Sequence, residues 1–275
     1  MTAHDAHEIL KLARSIAHRA GEILLEGRPD APRMNAVATS TKTSPTDIVT
    51  ERDVASEKAI VEAIQAARPG DGIIGEEGAN HPSTTGLTWI CDPLDGTINY
   101  MYGSPNWAVS IAVADELGTL VGVVYSPCVG VEYWAVRGEG AFREDLDGVV
   151  HLPQIADTTL DQALFATGFG YKASRRKQQI RVMSEVLPQI RDIRRKGSAA
   201  LDVCMVASGV VNGYFERGTH PWDVAAGALI ARETGAIVSG LHGKPEGEPM
   251  VVVAPPNVHA SIVALLESLD ADQGD

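Results

Sequence analysis

The chain has 275 residues, of which 44% are hydrophobic and 21% are charged, a composition typical of a globular protein with a large core. Its 36 acidic and 23 basic residues give a net charge of −13, which argues against general nucleic-acid binding. No apolar run approaches the roughly 18 residues that span a membrane, and the N-terminus has no signal-peptide core. The three cysteines are scattered, so we expect neither a disulfide framework nor a zinc site but a cytoplasmic protein.

The first part of the chain predicts two helices separated by a long loop. Apolar residues recur at helical spacing over 5–26, and a polar loop rich in Pro and Thr follows over 28–46. A second helix is predicted over about 48–67, with Thr46 or Asp47 as its cap. Its apolar face is predicted to contain Ile48, Val54, Val61 and Ile64.

A β-rich region follows the second helix. A short strand over 73–75 opens onto two acids, and the small, polar residues 78–88 predict a surface loop. Further strands are predicted over 108–114, 119–125, 131–136, 140–142 and 149–152. Because short turns separate these runs, we expect an antiparallel meander.

The second half of the chain alternates between strands and helices. The strands are predicted over 163–167, 191–194, 211–215, 237–238 and 250–253. The helices are predicted over 175–187, 198–208, 221–233 and 256–269. This alternation indicates a parallel or mixed α/β sheet, followed by a frayed tail over 270–275. We expect a metal-binding lobe over 1–152 and a substrate-specificity lobe over 153–275, joined as one unit.

The stretch from Trp89 to Asn99 carries the clearest chemical signal. A predicted buried strand runs into Asp92 and Asp95, and Gly96 then allows a sharp turn or a close approach to a ligand. A helix beginning at Gly96-Thr97 would direct free N–H groups at the same point, which suits an anion. Carboxylates alone would repel a phosphate, whereas carboxylates that hold divalent cations would attract one. The stretch therefore predicts a metal-dependent phosphate site.

Other acids are placed to join this site. Glu76 ends a second strand, and Asp223 follows Pro221 in the first turn of a helix, near its positive end. Asp53 lies at the start of the second helix, where it either only caps the helix or serves the site. Oxygen ligands without His or Cys favour Mg²⁺, Mn²⁺ or Ca²⁺ over zinc.

One segment departs from the acidic balance of the chain. Residues 172–196 hold nine Lys and Arg side chains against two acids, Glu185 and Asp192. Such a segment is either a solvated face or a subunit contact, or it attracts a phosphorylated substrate or a polyanionic partner.

Four motifs, in order, resemble those of the inositol monophosphatase family of Mg²⁺-dependent, lithium-sensitive phosphatases. They are D-I-V-T-E-R-D at 47–53, G-E-E at 75–77, D-P-L-D-G-T-I-N at 92–99 and W-D-V-A-A-G at 222–227. The likeness is greatest to bacterial, particularly actinobacterial, members. It implies a layered αβαβα sandwich of the α+β or α/β class, with a mostly antiparallel N-terminal sheet and a mixed C-terminal α/β lobe.

The resemblance also implies roles for individual residues. Two or three Mg²⁺ ions, with Mn²⁺ as a substitute, would be held by Glu76, Asp92, the Leu94 carbonyl, Asp95, Thr97 and Asp223. Thr97 and Asp53 would orient and activate the metal-bound water, with Glu76 also in a catalytic role. The amides of Gly96 and Thr97 would bind phosphate, and Lys42 matches a family lysine near a mobile loop. Substrate contacts would come from Asp95, Gly96, Thr97, Ala199, Glu216 and Asp223, with Ala199 and Glu216 facing the inositol hydroxyls.

The expected reaction is hydrolysis of a polyol phosphate, myo-inositol 1-phosphate, by metal-activated water and without a phosphoenzyme. Sister activities on 3′-phosphoadenosine phosphate, histidinol phosphate or fructose 1,6-bisphosphate are the nearest alternatives. A different class of function, binding to the transcription machinery, would use the basic segment 172–196. The family resemblance further implies a homodimer, and we expect no membrane partner.

Overall fold

The computed structural model of the protein describes residues 3–28, 39–41, 48–247 and 249–273. In this part of the chain two β-sheets alternate with layers of helices. The α-helices are α1 Ala3–Gly27, α2 Glu51–Ala67, α3 Thr97–Met101, α4 Ala173–Val186, α5 Ala199–Ala207, α6 Pro221–Glu233 and α7 Pro256–Ser268. None of the described helices is both long enough and apolar enough to cross a lipid bilayer.

A small two-stranded ribbon and a large sheet occupy the first half of the chain. In the ribbon, β1 (Thr39–Thr41) pairs antiparallel with β2 (Ile48–Thr50). The strands of the large sheet are β3 Gly72–Gly75, β4 Asn80–His81, β5 Thr88–Asp95, β6 Ala108–Asp115, β7 Gly118–Ser126, β8 Val131–Val136, β9 Ala141–Asp145 and β10 Gly148–His151. Their order is β10-β9-β8-β7-β6-β5-β3-β4. Only the β3–β5 pair is parallel among these described pairings, so the predicted antiparallel meander is confirmed for β6 to β10, and β5 extends it.

The second half of the chain forms a five-stranded mixed sheet. Its strands are β11 Leu164–Thr167, β12 Asp192–Arg194, β13 Gly213–Arg217, β14 Ile237–Ser239 and β15 Met250–Ala254. The order is β12-β11-β13-β15-β14, in which β11 pairs parallel with β12 and β13, while β15 pairs antiparallel with β13 and β14. The run of β15 is buried on both faces, as expected for a central strand between helical layers.

Three apolar cores separate the layers. The first lies between one face of the large sheet and the pair α1 and α2. The second encloses α5 and α6 between the two sheets, and the third packs α4 and α7 on the outer face of the small sheet. Val251 and Val253 belong to the second core and Val252 to the third, because successive strand residues point to opposite faces. This arrangement confirms the predicted αβαβα sandwich; the division at residues 152 and 153 stays a prediction.

Three local predictions were wrong. Residues 48–50 form β2 rather than the first turn of α2, because Thr50 caps the helix and pairs with Thr39 across the ribbon. Val54 is 53% exposed, since the buried face of α2 carries polar groups in its first two turns. The predicted surface loop over 78–88 contains β4.

The C-terminal tail is also more ordered than predicted. Ala271 is buried in the third core, and Arg217 donates a 2.9 Å hydrogen bond to the Gln273 carbonyl. The predicted caps Thr46 and Asp47, and Lys42, lie outside the described residues.

Candidate active site

The corner between β5 and α3 positions the central acids. The pairing of β5 with β6 shifts between Asp92 and Asp95, so the backbone is irregular there. Gly96 follows in the left-handed region with φ of 99°, and a Cβ at this position would lie 3.0 Å from the Asn106 carbonyl. Only glycine fits such a close approach at a positive φ, and α3 begins at Thr97 as predicted.

The first turn of α2 adds a hydroxyl–carboxylate pair. The Thr50 side chain accepts from the Asp53 amide, and the Asp53 carboxylate accepts from the Thr50 amide at 2.8 Å, which is a capping box. The other Asp53 oxygen accepts a 2.9 Å hydrogen bond from the Thr97 hydroxyl. The sequence left open whether Asp53 only caps α2 or also serves the site. In the structure it caps α2 and is hydrogen-bonded to Thr97.

The loop after β3 brings Glu76 next to β5. Gly75 pairs with Cys91 in the parallel register of β3 and β5, so Glu76 emerges beside Asp92. Glu57 on α2 fixes this loop by accepting hydrogen bonds from the Glu77 amide at 2.8 Å and the Ala79 amide at 3.0 Å. The sequence analysis missed Glu57, since a lone acid in a helix gives no signal of a distant loop partner.

The first turn of α5 holds the Asp95 carboxylate. Ser198 donates to it at 2.6 Å, and the amides of Ala199 and Ala200 donate at 3.2 and 2.8 Å. These donors come from more than a hundred residues along the chain, which is why the sequence analysis missed Ser198. Free amides at a helix N-terminus are natural donors to a carboxylate.

Asp223 reaches the site from the N-terminus of α6. It accepts a 2.6 Å hydrogen bond from the His220 amide. The helix lies very close to its neighbours, because a Cβ on Gly227 would lie 3.0 Å from Val203 and one on Gly122 of β7 would lie 2.7 Å from the Ala226 carbonyl. The small residues of the W-D-V-A-A-G motif therefore allow this close packing.

These elements enclose one cleft of about 480 Å³, within the usual range for small-molecule sites. The predicted site residues that line it are Glu76, Asp92, Leu94, Asp95, Thr97, Ala199, Glu216 and Asp223. Asp53 lies behind Thr97, to which it is hydrogen-bonded, and Gly96 is the N-cap of α3.

Glu216 stands on the small-sheet side of the cleft. Tyr214 donates to its carboxylate at 2.8 Å, and Gly168 packs against that carboxylate so tightly that a Cβ there would collide with it. Tyr214 and Gly168 therefore hold the Glu216 carboxylate in one orientation. Its other lone pairs can accept hydrogen bonds from a ligand in the cleft.

Three acids in the cleft, Asp92, Asp95 and Asp223, have raised pKa values. Burial raises the pKa of Asp92 well above its usual value, and the charges of Glu76, Asp95 and Asp223 raise it further. Burial raises the pKa of Asp95 to about 7, although the donors on α5 oppose this. The pKa of Asp223 is raised well above its usual value, first by burial and then by the charge of Asp95. Each of these shifts marks a place where a positive charge would be stabilising.

The donor set fits a hard divalent cation. The cleft is lined by five carboxylates and by Leu94, whose carbonyl is a further oxygen ligand, with no cysteine among its lining residues. Among the described residues, no group of three or more His, Cys, Asp or Glu side chains is arranged so that it could hold a metal ion directly. Their oxygens instead accept from local donors, as Asp92 does from the Leu94 amide at 2.9 Å.

The chain is similar to known proteins over nearly its whole length. Residues 5–271 match the model of the inositol monophosphatase family. An inositol-1-monophosphatase of Mycobacterium leprae is 40% identical over 276 residues, covering 96% of this chain and 95% of the relative. A Nus factor SuhB of Pasteurella multocida is 42% identical over 86% of each chain. Among solved structures, SuhB of Mycobacterium tuberculosis superposes with a TM-score of 0.82 at 34% identity, over 97% of this chain and 98% of its own.

Proposed function

The chain belongs to the inositol monophosphatase family, and from this premise we propose that it is a Mg²⁺-dependent phosphomonoesterase acting on myo-inositol 1-phosphate. The observation that carries the proposal is the hydrogen bond from Thr97 to Asp53 at the edge of a buried cluster of acids. That pair offers a proton acceptor beside the position where cations would bring the phosphate.

The acids have distinct roles in the proposal. Glu76, Asp92, the Leu94 carbonyl and Thr97 hold one cation, and Asp92, Asp95 and Asp223 hold a second. Bound cations supply charge neutralisation for the phosphate and a lower pKa for the attacking water. The amides of Gly96 and Thr97 bind the phosphate.

The Thr97 hydroxyl and Asp53 handle the proton. Because the Thr97 hydroxyl donates its proton to Asp53, one oxygen lone pair can face the cation, and the other accepts a hydrogen bond from the attacking water and thereby orients it. Burial raises the pKa of Asp53, which makes this carboxylate a better proton acceptor than an exposed one.

The alcohol side of the substrate faces Glu216 and Ala199. Glu216 can accept hydrogen bonds from neighbouring ring hydroxyls, while the small Ala199 leaves space for the ring. The relatives named inositol-1-monophosphatase support this choice of substrate.

The test is release of inorganic phosphate from a panel of phosphomonoesters, with Mg²⁺, with EDTA, and with Mg²⁺ plus Li⁺. The proposal predicts that myo-inositol 1-phosphate ranks among the best substrates and that EDTA removes activity reversibly. Full activity in EDTA would overturn the mechanism, and a poor rank for inositol phosphate would overturn the substrate assignment alone.

Relatives named Nus factor SuhB support a second candidate, binding to the transcription machinery. The exposed part of the basic segment, for example Lys177 and Arg181, offers a surface for it outside the cleft. Binding to RNA polymerase or RNA that survives Asp95→Ala and is lost on reversing the charges of Arg176 and Lys177 would favour this function. Binding that ignores the charge reversal would count against it.

A further inference from the structure

Residues 168–171, which follow β11 and are called the wall loop below, form the cleft wall beside Glu216. Phe169, Gly170 and Tyr171 line the cleft, as Glu216 does. The position of the wall loop therefore sets the shape of the cleft on the side that faces the alcohol of a substrate.

The register of the small sheet places the wall loop against Glu216. Thr167 pairs with Phe215 in parallel register, and the Thr167 hydroxyl donates a 2.8 Å hydrogen bond to the Phe215 carbonyl. The next residues along the two strands, Gly168 and Glu216, are consequently neighbours, and a Cβ on Gly168 would collide with the Glu216 carboxylate. A shift of the wall loop would therefore change the orientation of Glu216.

Gln179 on α4 holds the wall loop from behind. Its side-chain oxygen accepts a 2.9 Å hydrogen bond from the Gly170 amide, and its side-chain nitrogen donates a longer one of 3.4 Å to the Gly168 carbonyl. The two bonds fix the backbone on both sides of Phe169. Because Gln179 is only 8% exposed, water competes little with them.

The position of Gln179 is otherwise an apolar one. The other buried residues of α4 are Val182, Met183 and Val186, which lie three, four and seven residues later and belong to the third core. An apolar side chain at position 179 would continue that face of the helix. Packing alone therefore does not account for an amide here, whereas the two hydrogen bonds to the wall loop do.

Arg176, one turn earlier on α4, adds a second attachment. It donates to the Tyr171 carbonyl at 2.7 Å and to the Gly170 carbonyl at 3.2 Å. Neither Gln179 nor Arg176 is among the described residues that line the cleft. Both therefore affect the cleft through the backbone of the wall loop.

We propose that Gln179 is a positioning residue, which holds the wall loop against Glu216 and thereby sets the preference of the cleft for a polyol phosphate. The inference rests on the proposed function and deepens it, because it assigns part of the substrate choice to a residue outside the cleft. Glu216 binds ring hydroxyls well only while its carboxylate is held in one orientation. The proposed cation ligands belong to elements other than α4, so the rate of the chemical step should not depend on Gln179.

The test compares kcat/KM for myo-inositol 1-phosphate with that for p-nitrophenyl phosphate, whose ring carries no further hydroxyl group for Glu216 to bind. Gln179→Met keeps the length of the side chain and loses both hydrogen bonds. It should lower the ratio of the two kcat/KM values by about fivefold to tenfold, the effect of losing about one hydrogen bond. The loss should come from a higher KM for inositol phosphate, with kcat within about twofold. Gln178→Met, at the neighbouring position of α4, is the matched control and should leave the ratio within about twofold.

A double-mutant cycle tests whether Gln179 acts through Glu216. In a Glu216→Ala background, Gln179→Met should change the ratio by less than about twofold, because the carboxylate that it positions is gone. Arg176→Ala weakens the attachment of the wall loop from a partly exposed position, and should lower the ratio by about twofold to fivefold. This variant tests the inference even where Gln179→Met does not fold.

The other outcomes separate the inference from the proposed function. An equal loss on both esters in Gln179→Met, or additive losses in the cycle, would show a general structural role and overturn the inference. An unchanged ratio in both Gln179→Met and Arg176→Ala would overturn the inference and leave the proposed function intact. No Mg²⁺-dependent phosphate release from either ester by the wild type would overturn both.

Discussion

At the scale of single residues, the cleft stores unfavourable electrostatic energy in its acids. Burial is the main cause of each raised pKa, and like charges on neighbouring acids add to it. Such an arrangement destabilises the folded protein. It occurs in active sites because a bound ligand of opposite charge stabilises the buried acids. The same acids should therefore matter much more for turnover than for folding.

Asp95→Asn tests this separation of roles. We expect turnover to fall below about 1% of the wild type, because a cation ligand is lost. The fold should remain, since the Asn amide oxygen can still accept from Ser198 and from the Ala200 amide. Steady-state kinetics and circular dichroism check the two halves of the prediction. Asp147→Asn, at an exposed turn, is the control, and loss of the folded state in Asp95→Asn would contradict the assignment.

Asp202 on α5 allows a prediction about pH and stability. Its carboxylate is fully buried, and neither oxygen has a hydrogen-bond partner among the described residues. Burial, with the charges of Glu216 and Asp95, raises its pKa to about 8, whereas an unfolded chain has the ordinary value of 3.8. The folded state therefore holds the proton more tightly, and stability is lost as the pH rises from 3.8 to about 8, by up to about 1.4 kcal/mol per pH unit.

Asp202→Asn removes the ionisation and should therefore raise the melting temperature at pH 8 more than at pH 5. Thermal unfolding of both proteins at the two pH values measures the difference. An equal shift at both pH values would show that Asp202 does not titrate between them.

At the scale of elements, the start of α2 shows where sequence patterns succeed and fail. The end of the helix at Ala67 was predicted, because a turn rich in Pro and Gly follows it. The start was placed three residues early, although Thr50 and Asp53 have the spacing of a capping box. The β-branched run 48–50 also favours a strand, but its partner, residues 39–41, was predicted as part of the polar loop 28–46.

Thr50→Ala should weaken both the helix and the site. The loss of the cap costs about 0.5–2 kcal/mol of unfolding free energy. It also removes one donor from Asp53, because the Thr50 hydroxyl binds that carboxylate, whereas the Thr50 backbone amide is retained. Activity should consequently fall by about tenfold or more, as for other residues that orient a catalytic group. Thr50→Ser keeps the hydroxyl and should restore both properties; failure of this rescue would point to a role of the methyl group in packing.

At the scale of the whole molecule, the layered fold could be predicted from the sequence more completely than the set of residues that form the site. Alternating strands and helices predicted the mixed small sheet, because hydrophobic periodicity is a local property. Asp53, Glu76, Asp95 and Asp223 come from four separate elements, and no local pattern shows that they meet. The family motifs indicated that these acids meet. The contacts of Ser198 and Glu57 were found only in the structure, because their partners are distant in sequence.

If the acids of the cleft hold cations as proposed, the stability of the whole chain should depend on cations. Mg²⁺ that binds the folded state alone adds about 2.7 kcal/mol at a hundred times its dissociation constant, which corresponds to about 5–10 °C in the melting temperature of a chain of this size. Because protons compete for Asp92, Asp95 and Asp223, whose pKa values are raised, the increase should be smaller at pH 6 than at pH 8. Calorimetry with Mg²⁺, and with NaCl at the same ionic strength, measures it. The increase should vanish in Asp92→Asn, and equal increases with Mg²⁺ and NaCl would show that the acids do not hold the cation.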